Sequence, residues 1–134
     1  MIDESMKKQL IQKALEARKK AYVPYSKYPV GAALLCKSGK IYTGTNIENA
    51  AFPVTVCAER VAIFKAVSEG DTELQAMAVV TKNGGTPCGS CRQVMAEFNP
   101  DLIVYIADEK SDIKQETTLK EILPGYFGPA SLVK

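Results

Sequence analysis

Three cysteines and one glutamate stand where they could do chemistry together. Cys57 opens the stretch Cys57-Ala58-Glu59-Arg60, and Cys88 and Cys91 lie in Pro87-Cys88-Gly89-Ser90-Cys91. Two cysteines at C-x-x-C spacing form half of a zinc site. A structural zinc normally takes four protein ligands, but the only other cysteine is Cys36, far upstream, and the chain has no histidine. Three thiolates leave one coordination position open to water, which is the arrangement of a catalytic zinc. Soft sulfur donors select zinc over hard cations. A disulfide framework is the competing use of these cysteines, but Cys88 and Cys91 lie on one turn and a core of this size needs no staples.

The elements that must position these groups follow from caps and breakers. A helix should start at Cys57 and run to about Glu69, with Gly70 as its stop. A second should run from about Gly89 to Phe98, ended by Asn99-Pro100. Both thiol motifs then fall at helix N-termini, where free N–H groups and the positive dipole end favour thiolates. Cys57 and Glu59 would diverge in mid-helix. With Cys57 as the cap and Glu59 in the first turn, both can reach one metal. Val61, Ala62, Phe64, Ala66 and Val67 make the first of these helices apolar on most sides, so both helices are expected to be buried.

The rest of the chain reads in order. Asp3 and Ser5 are N-cap candidates for a first helix with Met6, Leu10, Ala14 and Ala17 as its apolar stripe, flanked by Ile11 and Ala21. Lys7, Lys8, Lys13, Arg18, Lys19 and Lys20 lie largely off that stripe, on a solvated face. Pro24 and Pro29 make 23–29 a loop. Val30 to Cys36 and Ile41 to Thr45, joined by Lys37-Ser38-Gly39-Lys40, read as an antiparallel hairpin, with Cys36 as a small buried residue. The stretch from Asn46 to Val56 is a long connection, of the kind that often carries function. Ala76 to Thr81 is a third strand, and 82–87 is a glycine-containing turn. The run Leu102 to Ala107 suits a strand covered on both faces. A short strand near Ile113 to Thr117 and a short helix from Thr118 to Leu123 complete the core. Helices alternating with strands after residue 57 imply crossovers and a partly parallel sheet. The expected fold is α/β: three layers, α/β/α, around a five-stranded mixed sheet, in one domain over residues 1–134.

Composition narrows the function classes. The chain has 134 residues, 46% of them apolar, and a net charge of +2 with acids and bases interspersed. That is a folded chain with one core and no general reason to bind nucleic acid. No run reaches the roughly 20 apolar residues of a membrane span. The start Met1-Ile2-Asp3-Glu4-Ser5 is acidic and polar, unlike a secretory signal. With thiols in metal spacing, this predicts a reducing, cytoplasmic location.

Three thiols with a neighbouring glutamate match the zinc deaminases, where two cysteines and a histidine, or three cysteines, hold the metal and the glutamate is not a ligand. Cys57 stands where the histidine form has its histidine. Four further segments carry a narrower likeness: Tyr25-Ser26-Lys27-Tyr28-Pro29-Val30-Gly31-Ala32, Asn46-Ile47-Glu48-Asn49-Ala50, Pro87-Cys88-Gly89-Ser90-Cys91-Arg92-Gln93 and Leu123-Pro124-Gly125-Tyr126-Phe127. Over nearly its whole length the chain resembles the cytidine deaminase family in its small three-cysteine form. The Asn46 to Asn49 segment separates it from the wider deaminase superfamily.

The resemblance implies zinc as cofactor, held by Cys57, Cys88 and Cys91, and Glu59 as the catalytic proton carrier. Zinc would lower the pKa of its water toward neutrality. Glu59 would carry a proton to N3 of the pyrimidine and another to the departing amine. The family pair matching Asn46 and Glu48 binds the ribose 3′-OH. Tyr28 stands where many members have a phenylalanine that packs on the substrate, and Ala58, Phe52 and Phe127 match further substrate-site positions, partly across subunits. Arg60 is expected to hydrogen-bond a ligating thiolate and offset its charge. The implied assembly is a homotetramer with shared sites, acting on cytidine and deoxycytidine. Two alternatives stand beside this: a deaminase for another aminopyrimidine nucleoside such as blasticidin S, and a non-catalytic zinc-stabilised module that takes Cys36 as its fourth ligand.

Overall fold

The computed structural model describes residues 2–132. Helix α1 (Glu4–Arg18) begins where Asp3 is extended and its Oδ1 accepts the Met6 N–H at 2.8 Å. This satisfies one of the N–H groups that every helix start leaves free. Leu10, Ile11, Ala14 and Ala17 are buried, as their spacing predicts. Strands β1 (Gly31–Cys36) and β2 (Ile41–Thr45) form the expected antiparallel hairpin. Next come α2 (Ala58–Ser68), β3 (Leu74–Val80), α3 (Gly89–Phe98) and β4 (Ile103–Ala107). The chain continues through β5 (Ile113–Thr118), α4 (Leu119–Ile122) and α5 (Pro129–Leu132).

The strands make one sheet in the order β2-β1-β3-β4-β5. Strands β3 and β4 are parallel, and α3 is the crossover between them. The other neighbours pair antiparallel, so the sheet is mixed. Alternation along β1 sends side chains to two layers. Ala33 and Leu35 join Leu10, Ile11 and Ala14 of α1 in one core cluster. Ala32 and Leu34 join Ala58, Ala62 and Ile63 of α2 and Met95 of α3 in the other. The result is the three-layer α/β/α arrangement expected from the sequence.

Both inner-site helices are less enclosed than expected. Helix α2 buries Ala58, Glu59, Ala62, Ile63 and Ala66, yet Phe64 is 47% exposed. Helix α3 buries Cys91, Met95 and Ala96, while Ser90, Gln93 and Glu97 face solvent. Each lies in an outer layer, so one face meets the sheet and the other does not. The connection over 46–56 contains a single 3₁₀ turn, Phe52–Val54, with Pro53 in its first positions. Isolated bridges from Ile47 to Tyr22 and to Val56 pin that connection beside the 22–28 loop.

Candidate active site

Cys57 is the N-cap of α2 and Cys88 the N-cap of α3, and both have extended dihedrals with no side-chain capping bond. Their thiols therefore project from the helix ends rather than folding back on them. The Sγ atoms of Cys57 and Cys88 are 3.8 Å apart, and those of Cys88 and Cys91 are 3.5 Å apart. Tetrahedral zinc with Zn–S bonds of about 2.3 Å needs sulfurs about 3.8 Å apart, so the donor set fits that ion. Among the described residues no other group of cysteines and carboxylates converges this way. Cys36 is buried in the core of β1, where burial pushes its thiol up to about 12, and it is not one of the converging thiols. Among the described residues no fourth protein ligand, as a purely structural site requires, is brought there.

The electrostatics suit a thiolate. Hydrogen bonding from the Cys91 thiol, with further help from Arg60 and Cys88, holds Cys57 down to about 5. The same sulfur contact, reinforced by burial, pushes Cys91 up, so the first charge in the cluster settles on Cys57. Arg60 Nη2 lies 3.5 Å from Cys57 Sγ and donates to it. This contact raises the Arg60 pKa and keeps a fixed cation against the cluster.

Glu59 occupies the first turn of α2 and is 3% exposed. Burial pushes its carboxyl up to about 7. Its Oε1 is buried with no hydrogen-bond partner among the described residues. A buried carboxylate oxygen left unsatisfied is costly and marks a place where a ligand or proton is handled.

Glu59 and Cys57 line a cavity of about 250 Å³ together with Ser26, Tyr28, Asn46, Thr81, Gly85 and Cys88. A larger cavity of about 710 Å³ lies at the β2 edge between α1 and α2, lined by Lys13, Lys19, Lys20 and Lys65, and holds none of these groups. We place the chemistry in the smaller one, because the thiols and the raised carboxyl are there.

Asn46 lines the cavity and Glu48 lines the cleft next to it, but both are already engaged. Asn46 is 9% exposed; its Oδ1 accepts the Val30 N–H and its Nδ2 donates to the Tyr28 carbonyl, both at 2.9 Å. Glu48 Oε1 accepts the N–H groups of Tyr25 at 3.0 Å and Ser26 at 3.1 Å, and its Oε2 accepts the Ser26 hydroxyl. The Ser26 hydroxyl is the main reason the Glu48 carboxyl is held below its ordinary range. Both side chains therefore shape the 25–30 loop, a role no local pattern in the sequence signals.

The remaining sequence candidates lie outside the cavity of one chain. Ala58 is fully buried at the start of α2. Phe52 is 72% exposed, packs edge-on against Tyr25 and lines a neighbouring cleft with Ser26 and Glu48. Phe127 is 56% exposed, and its carbonyl accepts Gln93 Nε2 at 2.7 Å. Sequence reasoning did not single out Ser26 and Thr81, polar loop residues that line the cavity and whose partners are fixed only by the fold.

The model of the cytidine and deoxycytidylate deaminase zinc-binding region matches residues 4–107. A cytidine deaminase of Sporosarcina psychrophila is 54% identical over 126 residues, 92% of each chain. The crystal structure of the Burkholderia pseudomallei cytidine deaminase superposes with a TM-score of 0.86 at 40% identity, covering 94% of this chain and all of that one. The Mycobacterium tuberculosis cytidine deaminase gives 0.80 at 36% identity, covering 96% and 99%. Three thiols at zinc spacing, a buried glutamate beside them and these likenesses over nearly the full length lead to one assignment: the chain belongs to the zinc-binding cytidine and deoxycytidylate deaminase family.

Proposed function

We propose that the chain deaminates cytidine and deoxycytidine hydrolytically, giving uridine or deoxyuridine and ammonia. The observation that carries this is Glu59: a buried carboxyl near pKa 7 with a free oxygen, facing a cavity walled by the zinc-type thiols. Zinc on Cys57, Cys88 and Cys91 would supply a Lewis acid that makes water a nucleophile near neutral pH. Glu59, poised near neutrality, would take one proton from the attacking water and deliver it to N3 of the cytosine ring. It would then take the proton of the hydroxyl now on C4 and pass it to the amine, which leaves as ammonia while C4 becomes a carbonyl. Burial keeps that proton from exchanging freely with solvent.

The sugar end falls to Asn46 and Glu48. A carboxylate has about four acceptor sites, and Glu48 uses three, which leaves one for a sugar hydroxyl. The Tyr28 ring forms a wall against the base. Phe52 and Phe127 contribute at subunit boundaries of a homotetramer, and Ala58, buried at the start of α2, serves the substrate site from within its own chain. Phe52, Val54, Phe64 and Phe127 are large apolar side chains left exposed in the single chain, which supports an assembly that covers them. The chain works as one domain in the cytoplasm, a reading supported by three cysteines gathered as free thiols at metal spacing, which suits a reducing compartment.

Ammonia release from a small panel tests the reading. Cytidine and deoxycytidine should both react. Free cytosine should react far worse, because it gives up the sugar-hydroxyl contact that orients the base, and the monophosphate should be poor for want of a phosphate cradle. Efficient turnover of cytosine or of the monophosphate, or blasticidin S as the preferred substrate, would refute it.

A further inference from the structure

Tyr28 is held at three points. Its N–H donates to Ser26 Oγ at 3.1 Å and its carbonyl accepts Asn46 Nδ2 at 2.9 Å. Its hydroxyl donates to Asn83 Oδ1 at 2.6 Å. The first two bonds belong to the loop at the sugar end. The third reaches the loop between β3 and α3, the segment that delivers Cys88 to the thiol cluster. That loop is itself pinned, because the Gly85 N–H donates to the buried Thr81 Oγ1 at 2.9 Å. A Cβ added at Gly85 would stand 3.2 Å from the Tyr28 hydroxyl, so the ring tip lies directly against this wall. Tyr28, Thr81, Gly85 and Cys88 all line the cavity.

We propose that Asn83 is a positioning residue: it fixes the Tyr28 ring as one wall of the substrate cavity and ties that wall to the loop carrying Cys88. This rests on the reading above that the Tyr28 ring packs on the substrate. A phenylalanine at this position would fill the same space but would be free at its tip. The hydroxyl gives the ring a fixed partner before any substrate arrives, so the cost of ordering it is met in the free protein and not at binding. The consequence is directional. Loss of the bond weakens binding of substrate and product alike, and leaves the proton transfers at Glu59 as they were.

The test compares Tyr28→Phe, Asn83→Ala, the double variant and Asn83→Asp at matched zinc content, with Tyr28→Ala as reference. Each of the first two should raise KM for cytidine by about 3–10-fold, the worth of one ordinary hydrogen bond, with kcat little changed. The inhibition constant for uridine, which reads binding without turnover, should rise in parallel. The double variant should be no worse than either single, because both remove one bond. Asn83→Asp keeps an acceptor oxygen and should restore KM. If Tyr28→Phe and Asn83→Ala leave KM and the uridine constant unchanged while Tyr28→Ala raises both, Asn83 has no positioning role although the ring does touch substrate. If Tyr28→Ala also changes neither, the reading of Tyr28 as a substrate wall fails. Additive losses in the double variant would show two separate contacts and overturn the proposal as well.

Discussion

Gly44 of β2 lies so close to Ala58 of α2 that a Cβ on the glycine would stand 2.4 Å from the Ala58 carbonyl oxygen. The same atom would meet the Ala62 nitrogen at 2.7 Å and Val61 Cβ at 3.0 Å. Backbone, not a flexible side chain, fills the space, so the first turn of α2 would have to move. That turn carries Cys57 as its cap and Glu59 one residue in from its start. Gly44→Ala should therefore cost about 1–3 kcal/mol of stability, as overpacking does, and also loosen zinc. Thermal melts and zinc retention against a chelator read the two effects. Full stability with normal zinc would mean α2 can shift freely, contrary to this packing.

The metal assignment separates two kinds of cysteine. Purified protein should hold about one zinc per chain. Cys88→Ala removes the sulfur that contacts both Cys57 and Cys91 and should lose the metal. Cys36→Ala alters a core position outside the cluster and should keep it. Equal zinc loss in both variants, measured by elemental analysis, would overturn the ligand set.

Glu59→Gln preserves shape and removes the proposed proton carrier. Because the carboxyl is held up by burial, the neutral amide should be tolerated in the fold. Zinc content should stay normal while turnover falls by about 10²–10⁴, the usual worth of a general acid–base. Near-normal kcat in this variant would exclude the proposed role.

Much of this was legible in the sequence because it is local. Asp3 as cap, the hairpin about Lys37 to Lys40 and the end of α3 at Asn99-Pro100 depend on neighbours a few residues apart. Cys57 as a cap and the start of α3 at about Gly89 were legible in the same way, and the structure makes Cys88 the cap of α3. Distant pairings were not legible. Nothing near Glu48 announces that it will accept from Tyr25 and Ser26, and the Tyr28 hydroxyl finds Asn83 across 55 residues of chain. The apolar content of α2 pointed to burial, but composition cannot separate a core face from an exposed one, and Phe64 lies on the latter. The turn α5 has no apolar period long enough to predict it.

The exposed aromatics give a test of shared sites. Phe127 is anchored through its backbone to Gln93, and its ring faces outward. If it serves a neighbouring subunit, a Phe127→Ala chain retains a sound Glu59 while a Glu59→Gln chain retains a sound Phe127. Mixing the two after gentle dissociation should produce activity above the mean of the separate variants. Light scattering of the unmodified protein should give a tetramer. A fully active monomer, or mixtures that never exceed the mean, would rule out sites shared between subunits.

Arg60 offers the last prediction, which follows from charge. Three thiolates around a divalent zinc leave a net negative centre before any water ionises, so the metal is a weaker Lewis acid than one with a neutral histidine ligand. The two helix N-termini offset part of this. Arg60 offsets more, because its Nη2 donates to Cys57 Sγ and draws electron density from the sulfur. Its Nε is buried, so the guanidinium lies against the protein and is not free in solvent. Arg60→Gln should keep the fold and lower activity by about 10–100-fold, the usual cost of losing a partner to a metal ligand. Cys57→His removes one negative charge from the ligand set. Combined with Arg60→Gln it should recover part of the loss, even if it is harmful alone. If the double variant is no more active than Arg60→Gln, charge compensation is the wrong account, and Arg60 is held against Cys57 by packing.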